Sequence, residues 1–182
     1  MPVSVVIAST LQYALAVLFL VLPVLVHTHG ERAQRAAEAV VTRQGLPAGV
    51  LARHGVKFAE SVVELLFPLA ICVALATLAS LGLAGNGVGR ILSWIAAALL
   101  MTAGAFVTGS QVFAARYVEA AFKKSKEPGV RQLDGGAVVR AAQEAFPAIL
   151  RPLIVLRFAL TAAGSPAVIV LLATPAASAY FH

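Results

Sequence analysis

Charged side chains are scarce in this sequence. Asp, Glu, Lys and Arg make up 12% of 182 residues while 60% are hydrophobic, and a soluble domain carries roughly twice that share of charge. So little charge cannot clothe a water-facing surface. Thiols are scarcer still: the lone cysteine, Cys72, excludes an intrachain disulfide and any metal site built on thiolates, and its place inside an apolar stretch marks it as packing. The chain also lacks a Gly-rich phosphate loop, a Ser/His/Asp constellation, paired carboxylates in a recognisable frame and a Cys/His metal signature. No catalytic residue, metal or cofactor is therefore assigned from the sequence.

The apolar residues come in long uncharged blocks rather than alternating or amphipathic runs, so the solvent expected for them is lipid. Four blocks are long enough, at 1.5 Å per residue, to cross a hydrocarbon core about 30 Å thick: residues 5–26, 61–83, 91–113 and 152–179. The first lies in a stretch, 1–30, with no acidic or basic side chain other than His27 and His29. With neither a basic leader nor a small-residue cleavage site ahead of His27, it is read as a retained span and not a signal peptide. The second and third are joined by Ala84-Gly85-Asn86-Gly87-Val88-Gly89-Arg90, whose glycines and asparagine are turn formers. The fourth contains Pro166 and Pro175, tolerated where neighbouring helices satisfy the freed carbonyls. The fold class expected is an all-α integral membrane protein, one domain of four transmembrane helices, with interfacial helices in two loops, 28–60 and 116–151.

The net charge of +6 would suggest nucleic acid in a soluble protein, but of fourteen Lys and Arg residues only Arg90 lies outside the two loops and their flanks. Such residues set topology and touch anionic lipid, so the bilayer and its anionic lipids are the expected partners and nucleic acid is not. Arg32, Arg35, Lys123, Lys124 and Lys126 are the expected headgroup contacts. The positive-inside rule puts both loops in the cytoplasm and both termini outside it. A bias toward Ala, Gly, Val and Arg over Lys points to a bacterial inner membrane.

Residues 31–41 favour helix until Gly45 and Pro47 end it, either along the membrane surface or as an extension of span one. A second helix, about 50–60, is expected to run into span two. In the other loop Asp134 offers an N-cap to a helix over 137–146 whose Val138, Ala142 and Phe146 share a face; that stripe suits the membrane interface or packing on the first loop. Glu64-Leu65-Leu66-Phe67-Pro68 echoes Glu144-Ala145-Phe146-Pro147, which is either chance or the trace of a parallel repeat.

Ionisable residues within spans default to a functional hypothesis. Arg53, Lys57, Glu60 and Glu64 follow at spacings of four, three and four, so a continuous helix aligns them as one charged stripe. Pro68 removes the amide that would bond the Glu64 carbonyl. Arg157 lies at a comparable depth in span four, and a Glu64 to Arg157 ion pair is expected, either as a packing staple or as the floor of a cytoplasm-facing ligand cavity. His27, His29 and His54 lie near one membrane face, yet i and i+2 on a helix do not share a face, which disfavours metal or haem. Ala76 to Ser80, Gly104 to Thr108 and Ala105 to Gly109 fit small-xxx-small, for intrachain packing or oligomerisation. Gln12, Tyr13, Gln111 and Tyr117 can hydrogen-bond between helices or line a cavity, and Trp94 and Tyr180 suit the outer interfacial belt.

Arg53 through Ala70, with its basic approach and Glu64-Leu65-Leu66-Phe67-Pro68-Leu69, resembles the second-helix motif of the four-helix membrane proteins of eicosanoid and glutathione metabolism. The resemblance implies a trimer with a thiol cofactor between subunits; it lacks the motif's asparagine upstream of Glu64, and its Phe-Pro lies one residue further on. The reading from the residues themselves is a small noncatalytic membrane protein, a subunit or accessory factor of a larger complex or a homo-oligomer. The alternatives are a membrane enzyme or ligand carrier with a cavity near Glu64 and Arg157, and an oligomeric transporter.

Overall fold

The computed structural model describes residues 1–181. Their regular secondary structure is entirely helical, with no strand among them. Four helices are long and apolar enough to cross a membrane: Val3–Arg43, Val62–Leu83, Gly87–Val112 and Leu150–Ala173. The elements are α1 (Val3–Arg43), α2 (Val50–Arg53), α3 (Val62–Leu83), α4 (Gly87–Leu99), a π-helical turn at Leu100–Gly104, α5 (Ala105–Val112), α6 (Ala114–Lys123), α7 (Pro128–Arg131), α8 (Gly135–Ala145), α9 (Leu150–Ala159), a second π turn at Leu160–Gly164, α10 (Ser165–Ala173) and α11 (Pro175–Ser178).

Helix α1 is the mast of the molecule. Half of its apolar stretch is buried within the protein, against 17% for α3 and for Gly87–Val112, so α1 is the helix around which the others pack. Its 41 residues measure about 60 Å, twice a hydrocarbon core, so its C-terminal half projects beyond the bundle. Of the two paths open to residues 31–41, the structure takes the extension of span one.

Around that projection the two basic loops fold into a single helical cap. Ala33, Ala37 and Val41 of α1, Val50 and Leu51 of α2, Phe122 of α6, Val130 of α7 and Val138, Val139 and Ala142 of α8 form one apolar core. Arg53 pairs with Glu127 at 3.4 Å, and the Asp134 N–H donates to Gln44 Oε1 at 2.9 Å, so both loops lie at the same end of the bundle. Asp134 caps α8 through the Ala137 N–H at 2.8 Å. The α8 stripe meets α1 rather than standing free for a membrane interface: Val138 and Ala142 are fully buried.

At the opposite end the glycine turn meets the C-terminal segment. The Tyr180 hydroxyl donates to the Leu83 carbonyl at 2.6 Å, Arg90 Nη2 donates to Ser178 Oγ at 2.7 Å, and the Arg90 guanidinium lies 4.7 Å from the Trp94 ring centroid. Trp94 and Tyr180 thus share the end opposite the cap.

Several boundaries differ from expectation for local reasons. Asn86 caps α4 through the Gly89 N–H at 3.0 Å, so that helix starts at Gly87, earlier than 91. The fourth long helix ends at Ala173, because Thr174 turns extended ahead of Pro175, where proline disfavours a helical predecessor. The two Phe-Pro segments take different conformations: Pro68 is inside α3, whereas Phe146 leaves α8 in an extended conformation, which removes the basis for equating them. The two π turns, Leu100-Met-Thr-Ala-Gly104 and Leu160-Thr-Ala-Ala-Gly164, pack on each other. A Cβ on Gly104 would come 3.0 Å from Thr161 Cγ2, so the small residues there serve close packing within the chain.

Candidate functional site

Bundle and cap meet around a cavity of about 420 Å³, within the range of small-molecule sites. Its apolar walls are Leu22 and Val26 of α1, Val139 and Phe146 at α8, and Leu150 and Ile154 of α9; its polar groups are His54, Lys57, Glu60, Ser110, Gln111, Tyr117, Gln143 and Arg157.

One wall is the strap between α2 and α3, residues 54–61. The strap leaves α2 through Gly55, whose φ of +69° suits glycine, and then lies against α1. Gly30 makes this possible, since a Cβ there would stand 2.7 Å from the Phe58 carbonyl oxygen. The Phe58 N–H donates to Gln34 Oε1 at 2.9 Å, and His27 Nδ1 lies 3.2 Å from the Glu60 carbonyl oxygen, a bond in which the ring donates. The break at Gly55 also means that Arg53, Lys57, Glu60 and Glu64 do not share a helix, and the expected charged stripe does not form.

Arg157 forms the other polar wall. It stands two turns into α9, only 6% exposed. Its Nη2 donates to Gln111 Oε1, its guanidinium lies 5.3 Å from the Phe19 ring centroid, and its Nε is sealed from solvent without a partner. The ion pairs among the described residues are Arg53–Glu127 and Arg140–Asp134, both on the surface, so Arg157 is a buried cation without one.

The expected ion pair to Glu64 is corrected by the local sequence. Ser61-Val62-Val63-Glu64 is a capping box: the Ser61 N–H donates to Glu64 Oε2 at 2.7 Å and the Glu64 N–H donates to Ser61 Oγ at 3.3 Å. Glu64 is spent on the exposed N-terminus of α3. The acid that shares the cavity with Arg157 is Glu60, and its Oε2 is buried and unpartnered. Burial holds the Glu60 carboxyl above the ordinary carboxylate range, the neighbouring Glu64 charge adds to the shift, and Arg157 and His27 pull it part of the way back.

Of the other sequence candidates, Lys57 lines the cavity, Arg53 is drawn away by Glu127, and Arg32, Arg35, Lys123, Lys124 and Lys126 are exposed on the cap. Gln12 Nε2 donates to Ser93 Oγ at 3.0 Å and the Tyr13 hydroxyl meets Ser80 Oγ at 2.6 Å, so both bond between helices and neither lines this cavity. The histidines have local partners: His29 Nδ1 faces the Leu25 carbonyl, and His54 Nδ1 and Nε2 face the Val50 carbonyl and Ser125 Oγ. Among the described residues no three His, Cys, Asp or Glu side chains converge on a point that could hold a metal. His54 and Gln143 were not singled out as cavity residues by the sequence, which carries no local signal for a site assembled from the strap, α5, α6, α8 and α9.

No family model, curated protein or solved structure matches this chain.

Proposed function

We propose that the chain is a multi-pass membrane protein that holds a small amphipathic ligand in the cavity between bundle and cap. The observation that carries this reading is Arg157, a guanidinium withdrawn from solvent, without an ion pair, on the wall of a cavity large enough for a small molecule. Buried charge without compensation is costly, and ionisable groups at such depth mark ligand or ion paths. The mixture of long apolar walls and a few polar groups is that of a ligand site. With the positive-inside rule applied, the cap lies in the cytoplasm, both termini lie outside it, and the cavity sits at the level of the inner leaflet. Arg32, Arg35, Lys123, Lys124 and Lys126 then rest against anionic headgroups, in a bacterial inner membrane by composition.

The reading as a subunit of a larger complex, or as an oligomer, draws on the apolar outer faces of α3 and α5, where Val62, Val63, Leu66, Phe67 and Phe106 are exposed. Lipid covers such faces equally well, so that reading has less behind it. The test is purification in mild detergent followed by native mass spectrometry and extraction of bound small molecules. The expected result is a co-purifying ligand that is lost in Ala114→Phe, which fills the cavity. A stoichiometric second polypeptide with no such ligand would favour the subunit.

A further inference from the structure

We infer that the ligand of this cavity is an anionic amphiphile, its oxyanion head (a carboxylate or a phosphate) held by Arg157 and Lys57 and its apolar body lying along Leu22, Val26, Phe146 and Ile154. The inference rests on the ligand-binding reading above and names the class of ligand. Arg157 makes no direct ion pair: Gln111 gives it a neutral acceptor and Phe19 a ring face, and Glu60 acts on it only from elsewhere on the cavity wall, with a carboxyl that burial keeps from ionising easily. An oxyanion in the cavity brings to the guanidinium that lines it the negative charge that Gln111 and Phe19 do not supply, in the charge-assisted pairing arginine favours. The charged groups lining the cavity are Arg157 and Lys57 against the single acid Glu60. A cationic ligand meets net repulsion there, and a neutral one leaves the guanidinium uncompensated.

Glu60 fits the same ligand. The charges that reach it are Glu64 at the head of α3, His27 from α1 and Arg157 from α9, and Lys57, His54 and Tyr117 face the same cavity. Its carboxyl is held above the ordinary range mainly by burial, so it gives up its charge more readily than an exposed carboxylate does. An arriving anion adds to the repulsion from Glu64 and competes for Arg157, so Glu60 takes up a proton as the head binds. Affinity therefore rises as pH falls.

The experiment is a titration of the full-length protein, in nanodiscs of zwitterionic lipid, with three probes that share one acyl chain: oleate, oleoyl lysophosphatidate and uncharged mono-oleoylglycerol. At least one anion should bind about ten-fold or more tightly than the glycerol ester, and the tighter of the two distinguishes a carboxylate from a phosphate source. Arg157→Met should weaken the anion about thirty-fold or more, while Arg157→Lys keeps much of the affinity. Glu60→Gln should tighten it at neutral pH and flatten its pH dependence above the ordinary carboxylate range, a test that stands even where Arg157→Met does not fold. Equal binding of all three probes, or an anion affinity unmoved by Arg157→Met and Glu60→Gln, overturns the inference. If the glycerol ester binds as well as the anions and Ala114→Phe abolishes it, the cavity reading stands and the anion class falls. If Ala114→Phe leaves every probe unaffected, both fall.

Discussion

The cap and the bundle bury different chemistry. The cap core is entirely apolar, from Ala33, Ala37 and Val41 to Phe122 and Val138, and its lysines and arginines face outward, as in a small soluble domain. The bundle buries Ser9, Gln12, Ser93, Thr108, Thr161, Ser165 and Arg157 among its apolar contacts while exposing Val63, Phe67, Val73 and Phe106. The same side-chain types are sorted in opposite directions because the cap faces water and the bundle, as proposed, faces hydrocarbon. In water, burying apolar area drives association; between helices in lipid, close packing and interhelical hydrogen bonds do. The cavity lies at the seam between these regimes, where a buried cation and apolar walls meet.

That contrast can be broken most sharply with two phenylalanines. Phe122→Ala in the cap core should cost about 3–5 kcal/mol, read as lost hydrogen-exchange protection over α6 and α8. Phe106→Ala, on an exposed face of α5, should change bundle stability by within about 0.5 kcal/mol. A similar loss at both sites would mean that the two regions are held together in the same way.

The seam is tested next by Gly30→Ala, whose new methyl meets the Phe58 carbonyl. Displacement of the strap should cost about 1–3 kcal/mol and expose residues 54–61 to protease, with the bundle intact. Inside the bundle, Gln12→Leu removes the bond to Ser93 and should cost about 0.6 kcal/mol, the typical worth of such bonds in membrane helices, measured by unfolding in bicelles; a cost of several kcal/mol would mark Gln12 as part of a site. The smallest effect is the pH dependence of stability. Because the Glu60 carboxyl is raised in the folded protein, its contribution is fully present below the unfolded value and is lost as pH rises through the folded one. Thermal midpoints should therefore fall across that window in the native protein and fall less in Glu60→Gln.

The long apolar helices were legible because each of the four blocks exceeds the length needed to cross a bilayer and holds almost no charge. Asp134 as an N-cap and the shared face of Val138 and Ala142 were legible for a similar reason, since caps and helical periodicity are local. Glu64 was misassigned although the sequence carried the correction: Ser61 three residues before it is a capping box, which uses the carboxylate at the helix start and leaves none for Arg157. Arg157 itself was visible as a charge inside an apolar run. Its surroundings were not, because Gln111, Phe19 and Glu60 come from three distant segments brought together by packing.

Hydropathy and charge along the chain are local quantities, and they specified the four long apolar helices and the segregation of the basic residues. Which side of the α8 stripe is covered, that Gly30 admits the strap, and that Arg157 is left without an ion pair on a cavity wall all depend on where the cap settles on the C-terminal half of α1. Such contacts join residues tens of positions apart, and no periodicity or spacing encodes them.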